Sequence, residues 1–220
     1  MDLTIIILGV VIVLILYFYF KSSGSTVLSN KIDLTTQQSS IDIKNITNPT
    51  SVKYSYEMWL YVYNFSGAST YIVSRAADTG GGKNIGIKID GSVPKLSLEY
   101  LADTTKTVVI TDNFPLQTWS HLIVSVDGTY VDIYMNGKLV KSFQDKNIKA
   151  SSATATIDYG MLPCYLAKLV RTTTPTNPQS AWDKYSAGNG ENPLAKYLAS
   201  FGMSLTLKKN DQDYSKVTLF

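Results

Sequence analysis

One cysteine and one histidine, Cys164 and His121, stand in 220 residues. A single thiol excludes an intramolecular disulfide, and a single imidazole excludes every multi-histidine metal site. Glutamate is almost as scarce, with only Glu57, Glu99 and Glu191. Arginine is limited to Arg75 and Arg171, so Lys supplies 18 of the 20 basic residues (20 − 2). These bases are scattered, and the net charge is only 20 − 17 = +3. A nucleic-acid binder normally carries a basic stripe rich in Arg, so no nucleic-acid partner is expected. Charged residues make up 17% of the chain against 45% apolar, which argues for a folded body rather than disorder.

What the chain does have begins at its N-terminus. Leu3 to Phe20 is apolar except for Thr4. At about 1.5 Å per residue this segment would make a helix of roughly 27 Å, close to one hydrocarbon core. Leu3, Ile5, Leu8, Ile12, Leu16 and Phe20 are its expected lipid-facing residues. The closing Tyr17-Phe-Tyr-Phe20 suits the headgroup region, and Lys21 follows. A cleaved signal peptide would have a basic start, a shorter apolar run and a small-residue cleavage site. Residues 1–21 are therefore expected to be a single transmembrane anchor. Asp2 on one side and Lys21 and Lys31 on the other predict the large domain on the cytosolic face. The sequons Asn45-Ile-Thr and Asn64-Phe-Ser point the other way, but sequons often arise by chance. Residues 22–40, which open with Ser22-Ser-Gly-Ser-Thr26 directly after Lys21, are expected to be a flexible tether.

From residue 41 to 220 the pattern has a period of two. In Val52–Tyr63, Tyr54, Tyr56, Met58, Leu60 and Val62 share one face; Ser55, Glu57, Trp59, Tyr61 and Tyr63 share the other. About a dozen such strands are separated by short turns. Asp127-Gly128 and Asn136-Gly137 are the strongest turn signals, because these residues tolerate the positive φ of tight hairpins. They define a three-strand meander from Trp119 to Phe143. Two short helices are expected near the end, Pro178–Tyr185 capped by Asn177 and Pro193–Ser200 capped by Asn192. The fold class is therefore all-β, a two-sheet antiparallel sandwich with two short C-terminal helices behind a transmembrane helix.

The meander Trp119-Ser-His-Leu-Ile-Val through Asp127-Gly128 and Tyr134-Met-Asn-Gly137 resembles that of laminin-G-like, concanavalin A-like sandwiches. Tyr54–Tyr63 with Glu57-Met58-Trp59, Ile72-Val-Ser-Arg75, and the Asn177–Tyr185 helix followed by Ala187-Gly-Asn-Gly190 extend the likeness over roughly residues 40–220. An anchor feeding such a domain, with few Cys and many Tyr and Thr, is also similar to membrane-anchored minor capsid proteins of large double-stranded DNA viruses. That resemblance implies a protein rooted in an internal virion membrane.

The family's glycosidase branch would need paired carboxylates on one strand face. Here no Glu has an acidic residue two positions away, so no enzymatic activity and no catalytic residue are expected. Asp78-Thr-Gly-Gly-Gly-Lys-Asn84 looks like a phosphate loop but lacks the terminal Ser or Thr and is followed by a strand pattern; it is expected to be a hairpin tip. His121 sits in an apolar strand beside Trp119, a residue expected to pack inside the sandwich, and is expected to be structural. Calcium is the ligand the resemblance implies. Asp78, Asp103, Asp112 and Asp127 are candidate donors, but only Asp211-Gln-Asp213 is compact, and it reads as a turn. No cofactor is expected. With Tyr the commonest aromatic, Tyr61, Tyr63, Tyr71 and Trp182 are candidate interface residues. The leading expectation is a non-enzymatic structural protein that links an internal viral membrane to capsid or other structural proteins through its sandwich. The alternative is a membrane-tethered, lectin-like glycan binder. The lipid bilayer and further copies of the chain are the remaining expected partners.

Overall fold

A computed structural model describes Ile12, residues 25–65 and 67–189, and the strands Ser204–Lys209 and Gln212–Thr218. The alternating segments form two antiparallel sheets facing each other. The six-stranded sheet runs in the order β1 (Ser25–Asp33), β11 (Cys164–Thr172), β2 (Lys53–Val62), β7 (Ser120–Asp127), β8 (Tyr130–Met135), β9 (Lys138–Gln144). The five-stranded sheet runs β10 (Ile157–Tyr159), β3 (Thr70–Ala76), β4 (Lys83–Ile89), β5 (Leu96–Leu101), β6 (Thr105–Thr111). Among the described residues, strands β12 (Ser204–Lys209) and β13 (Gln212–Thr218) pair with each other as a separate two-stranded sheet. Beyond the single helical residue Ile12 and a 3-10 turn at Ile43–Asn45, the described residues contain one α-helix, α1 (Pro178–Ser186). The second expected helix, over residues 193–200, lies outside them.

The face of β2 bearing Tyr54, Tyr56, Met58, Leu60 and Val62 is the core face. It meets Ile85, Ile87, Leu96 and Leu98 of the opposing sheet, all buried. Removing such side chains from water is the main stabilising contribution, about 1.5–3 kcal/mol for each large aliphatic one. The meander turns sit where positive φ is needed: Gly128 has φ 63, Asn136 φ 50 and Gly137 φ 76.

Of the expected tether 22–40, the described part from Ser25 onward departs from a flexible linker. Ser25–Asp33 is a strand that pairs antiparallel with β11 from Ser25↔Thr172 to Asp33↔Tyr165. Its polar composition and a bulge between Val27 and Ser29 disguise the alternation, yet Leu28 and Ile32 pack on the core and Leu34 is fully buried. The anchor residues Leu3, Ile5, Leu8, Leu16 and Phe20 lie outside the described residues; Ile12 is helical and exposed. Among the described residues no helix is long and apolar enough to cross a membrane.

Both arginines are interior clamps rather than surface charges. Arg171 lies over the rings of Tyr54 and Tyr56, 5.4 and 5.9 Å from their centroids. It donates to the carbonyls of Thr47 and, at 3.0 Å, Asn48. Arg75 donates to Pro49 O at 2.7 Å and to Ser152 O at 3.0 Å. Together they fasten the Thr47–Pro49 turn onto the sandwich.

Candidate functional site

The second face of β2 looks away from the core, and the cover over it is polar. The chain leaves β11 as Thr173–Asn177 and crosses this face. Thr176 N–H donates to Ser125 Oγ at 2.8 Å, and Thr176 Oγ1 donates to Ser55 Oγ at 2.9 Å. The Tyr134 hydroxyl donates to Thr176 O at 3.2 Å. Asn177 then caps α1 by accepting from Ser180 N–H, with Pro178 at the start of the helix. The helix lays Ala181 against Ile123 and Tyr134, a small second core. Tyr185 stacks on Trp59 with centroids 5.7 Å apart and planes 16° from parallel.

Under this cover lies Glu57, 3% exposed. Its Oε1 is 3.4 Å from His121 Nε2 and 3.3 Å from Lys168 Nζ; its Oε2 is 3.5 Å from Lys184 Nζ. Burial works to raise the carboxyl, but the His121 contact and the charges of Lys168 and Lys184 outweigh it and hold the group at about 2. Lys168 reaches Glu57 because β11 bulges between Ala167 and Val170, and Lys168 itself sits at φ 50. That region is unfavourable for a residue with a long side chain. The bulge also opens a cleft of about 360 Å³ between β11, residues 172–176 and α1, with Glu57 in its wall.

Further along the same face the cover ends and the rings become accessible. Tyr61, Tyr63, Trp119 and Tyr165 are half-buried and form one cluster. Tyr61 lies 5.5 Å from Trp119 and 6.2 Å from Tyr165, and Tyr63 lies 5.5 Å from Tyr165. Lys31 of β1 sits over this platform, 5.7 Å from the Trp119 ring and 5.9 Å from Tyr165. Asp33 lies at the same edge, its carboxyl lowered chiefly by a hydrogen bond from the Thr35 hydroxyl.

Of the four candidate interface residues, the structure brings Tyr61 and Tyr63 together. Trp182 is exposed on α1, against Tyr185 at 5.7 Å. Tyr71 is elsewhere, on the outer face of the five-stranded sheet. It lies across Gly86, where a Cβ would come within 2.8 Å of its ring, donates its hydroxyl to Glu99, and is flanked by Lys83 and Lys88. Burial and the Glu99 contact push the Tyr71 phenol up to about 12. Trp119 and Tyr165 were missed as surface residues. Trp119, expected inside the sandwich, is on this platform instead, because it precedes β7 on the parity of the outer face. His121 contacts Glu57 and Trp59 on that face, whereas Cys164 is in the core, its thiol pushed up to about 12 by burial.

Among the described residues no group of three or more His, Cys, Asp and Glu stands close enough to hold a metal ion. Asp127 pairs with Lys53 at 2.9 Å and Asp103 accepts from Asn147; the Asp211 and Asp213 side chains lie outside the described residues.

Two antiparallel sheets packed face to face define an all-β jelly-roll sandwich. The chain belongs to the Concanavalin A-like lectin/glucanases superfamily, whose laminin G model matches residues 35–160. No curated protein matches the sequence. Among solved structures, the chain is similar to the botulinum neurotoxin serotype D binding domain, with a TM-score of 0.60 and 12% identity over 74% of this chain and 43% of that one. It is also similar to Trypanosoma rangeli sialidase, with a TM-score of 0.52 and 10% identity over 64% of this chain and 24% of that one. It spans less than half the length of either protein, and at these identities the likeness is one of fold.

Proposed function

We propose that the chain is a non-enzymatic, membrane-tethered carbohydrate-binding protein that holds glycans on the Tyr61–Tyr63–Trp119–Tyr165 platform. The carrying observation is the platform itself, four half-exposed rings in mutual contact beside Lys31, Asp33 and Thr35. A sugar ring has an apolar C–H face and a rim of hydroxyls. The negative face of an aromatic ring receives the first, and charged or hydroxyl groups at the edge receive the second. The neighbours support this reading: one is the receptor binding domain of botulinum neurotoxin D, and a related binding domain was solved in complex with SialylT.

The absence of turnover in this proposal rests on the carboxylates. Glu57 and Glu99 lie on the outer faces of different sheets, and each is already engaged, Glu57 with Lys168 and Lys184 and Glu99 with Tyr71 and Lys88. Retaining or inverting hydrolysis needs two carboxyls flanking one bond. The tether to a bilayer rests on the lipid-length apolar run Leu3–Phe20. Lys21 and Lys31 against Asp2 put the head on the cytosolic side, which protease protection of sealed vesicles tests.

The capsid-linking role is the second reading, and it draws on the same rings, since exposed Tyr and Trp equally favour protein contacts. The deciding experiment presents the full chain in detergent micelles to a glycan array. Binding that disappears in Trp119→Ala supports the first reading. Silence on the array, with crosslinking of the platform to capsid protein in purified particles, overturns it in favour of the second.

A further inference from the structure

We propose that the cleft between β11, residues 172–176 and α1 binds the carboxylate-bearing sugar unit of an acidic glycan. This rests on the glycan-binding reading and names the class of sugar. At about 360 Å³ the cleft falls within the usual size range of small-ligand pockets. Its walls carry the hydroxyls of Thr172, Thr174, Thr176 and Ser180 together with Lys168 and Lys184.

The charge balance selects the guest. Two ammoniums face one carboxylate, leaving an excess of positive charge. Lys168 is committed to Glu57 and, at 3.3 Å, to Gly188 O; Lys184 is committed to Glu57 and, at 3.3 Å, to Thr176 Oγ1. Each ammonium has three N–H groups, so the contacts described leave a third on each for a guest anion. Glu57 selects against a plain anion. Its carboxylate is part of the cleft wall, so it can accept from a guest hydroxyl, while its charge repels an approaching phosphate. A ring carrying one carboxylate and several hydroxyls answers both demands: the carboxylate accepts from the lysines, and a hydroxyl donates to Glu57. The left-handed backbone of Lys168 is the device that aims this ammonium outward. Glu57 and Tyr61 are four residues apart on β2, about 13 Å, so one oligosaccharide can reach both cleft and platform.

The test titrates the full chain, labelled with ¹⁵N in detergent micelles, with methyl β-D-glucuronide, methyl β-D-glucoside and inorganic phosphate. The first two differ only in a carboxylate replacing a hydroxymethyl. The glucuronide is expected to bind at least about tenfold more tightly, moving amides in Thr174–Ser180, and Lys184→Gln is expected to remove that preference. Phosphate is expected to leave these amides in place. The cleft assignment is overturned if the two sugars bind equally, if only amides around Tyr61 and Trp119 move, or if phosphate reproduces the glucuronide shifts. It is overturned too if neither sugar moves any amide. The glycan reading itself is decided separately by the array. The wild-type shift map decides without the variant, should Lys184→Gln fail to fold.

Discussion

Replacing Glu57 with Gln tests the buried cluster that joins β2, β11 and α1. Glu57 is held at about 2 in the folded chain against 4.5 when unfolded. A depressed carboxyl contributes stability that is fully present above its unfolded value and is lost as pH falls through the folded one. The difference corresponds to about 3 kcal/mol at pH 7, at roughly 1.4 kcal/mol per tenfold. Gln keeps the shape but leaves Lys168 and Lys184 facing each other without a counter-charge. Glu57→Gln should therefore cost about 3 kcal/mol at pH 7, a drop of roughly 6–12 °C in Tm for a domain of this size. The gap should narrow as the pH falls from about 5 toward 2, because the wild type loses its advantage there and the variant has none to lose. Urea unfolding followed by tryptophan fluorescence, repeated down the pH series, measures the gap directly. A variant as stable as wild type at pH 7, or a gap that stays constant or widens on acidification, refutes the reasoning.

Three further outcomes are expected. Arg171→Met leaves the Thr47 and Asn48 carbonyls without their buried donor and should destabilise by about 2–5 kcal/mol in urea unfolding, with Arg171→Lys recovering only part of the loss. Gly160→Ala would place a Cβ 1.7 Å from the Tyr71 carbonyl oxygen, so β10 must leave β3; a loss of about 3 kcal/mol or more is expected, with faster hydrogen exchange at Gly160, which donates to Ile72 O. Trp119→Ala should lower glycan affinity at least about tenfold while shifting Tm by only a few degrees, read by array titration and circular dichroism, because its ring is half-exposed.

The sandwich was legible because its signals are local. Alternation in Val52–Tyr63, the Asp127-Gly128 and Asn136-Gly137 turns and the Asn177-Pro178 cap each constrain a few adjacent residues, and strand β2, the meander and α1 lie where they point. The site was only half legible. Alternation puts Glu57, Trp59 and Tyr61 on one face but does not say that a helix 120 residues later roofs the first two and leaves the third open. Lys168 shows the limit more sharply. Strict alternation from Leu166 would aim it into the core. The bulge reverses the parity, so Leu169 and Arg171 point inward while Lys168 and Val170 face the cleft. Bulges leave little trace in composition, and the positive φ at Lys168 has no Gly or Asn to announce it. Strand β1 was hidden for a related reason: an edge strand needs only Leu28 and Ile32 for the core, and its remaining residues can be polar.

Strand β1 also changes the geometry of the proposed tether. A flexible linker over 22–40 would let the head range far from a bilayer. With β1 starting at Ser25, only five peptide steps separate it from Phe20, a reach of at most about 18 Å when fully extended. In the proposed membrane-tethered arrangement the Ser25 end of β1 therefore stays close to the headgroups. Ser25 and Val27 are also part of the cleft wall. Under that proposal the cleft mouth, at the Thr172 end of β11, would be the end of the sandwich nearest the lipid, while Asp33 and the aromatic platform lie at the far end of the same strand pair. About eight strand residues, roughly 27 Å, separate the two ends. In the proposed arrangement a glycan that reaches the cleft would come from the membrane side or lie along it, whereas the platform would face away from the bilayer. The same antiparallel pairing that hid β1 in the sequence would, in this arrangement, give the proposed cleft and platform different access.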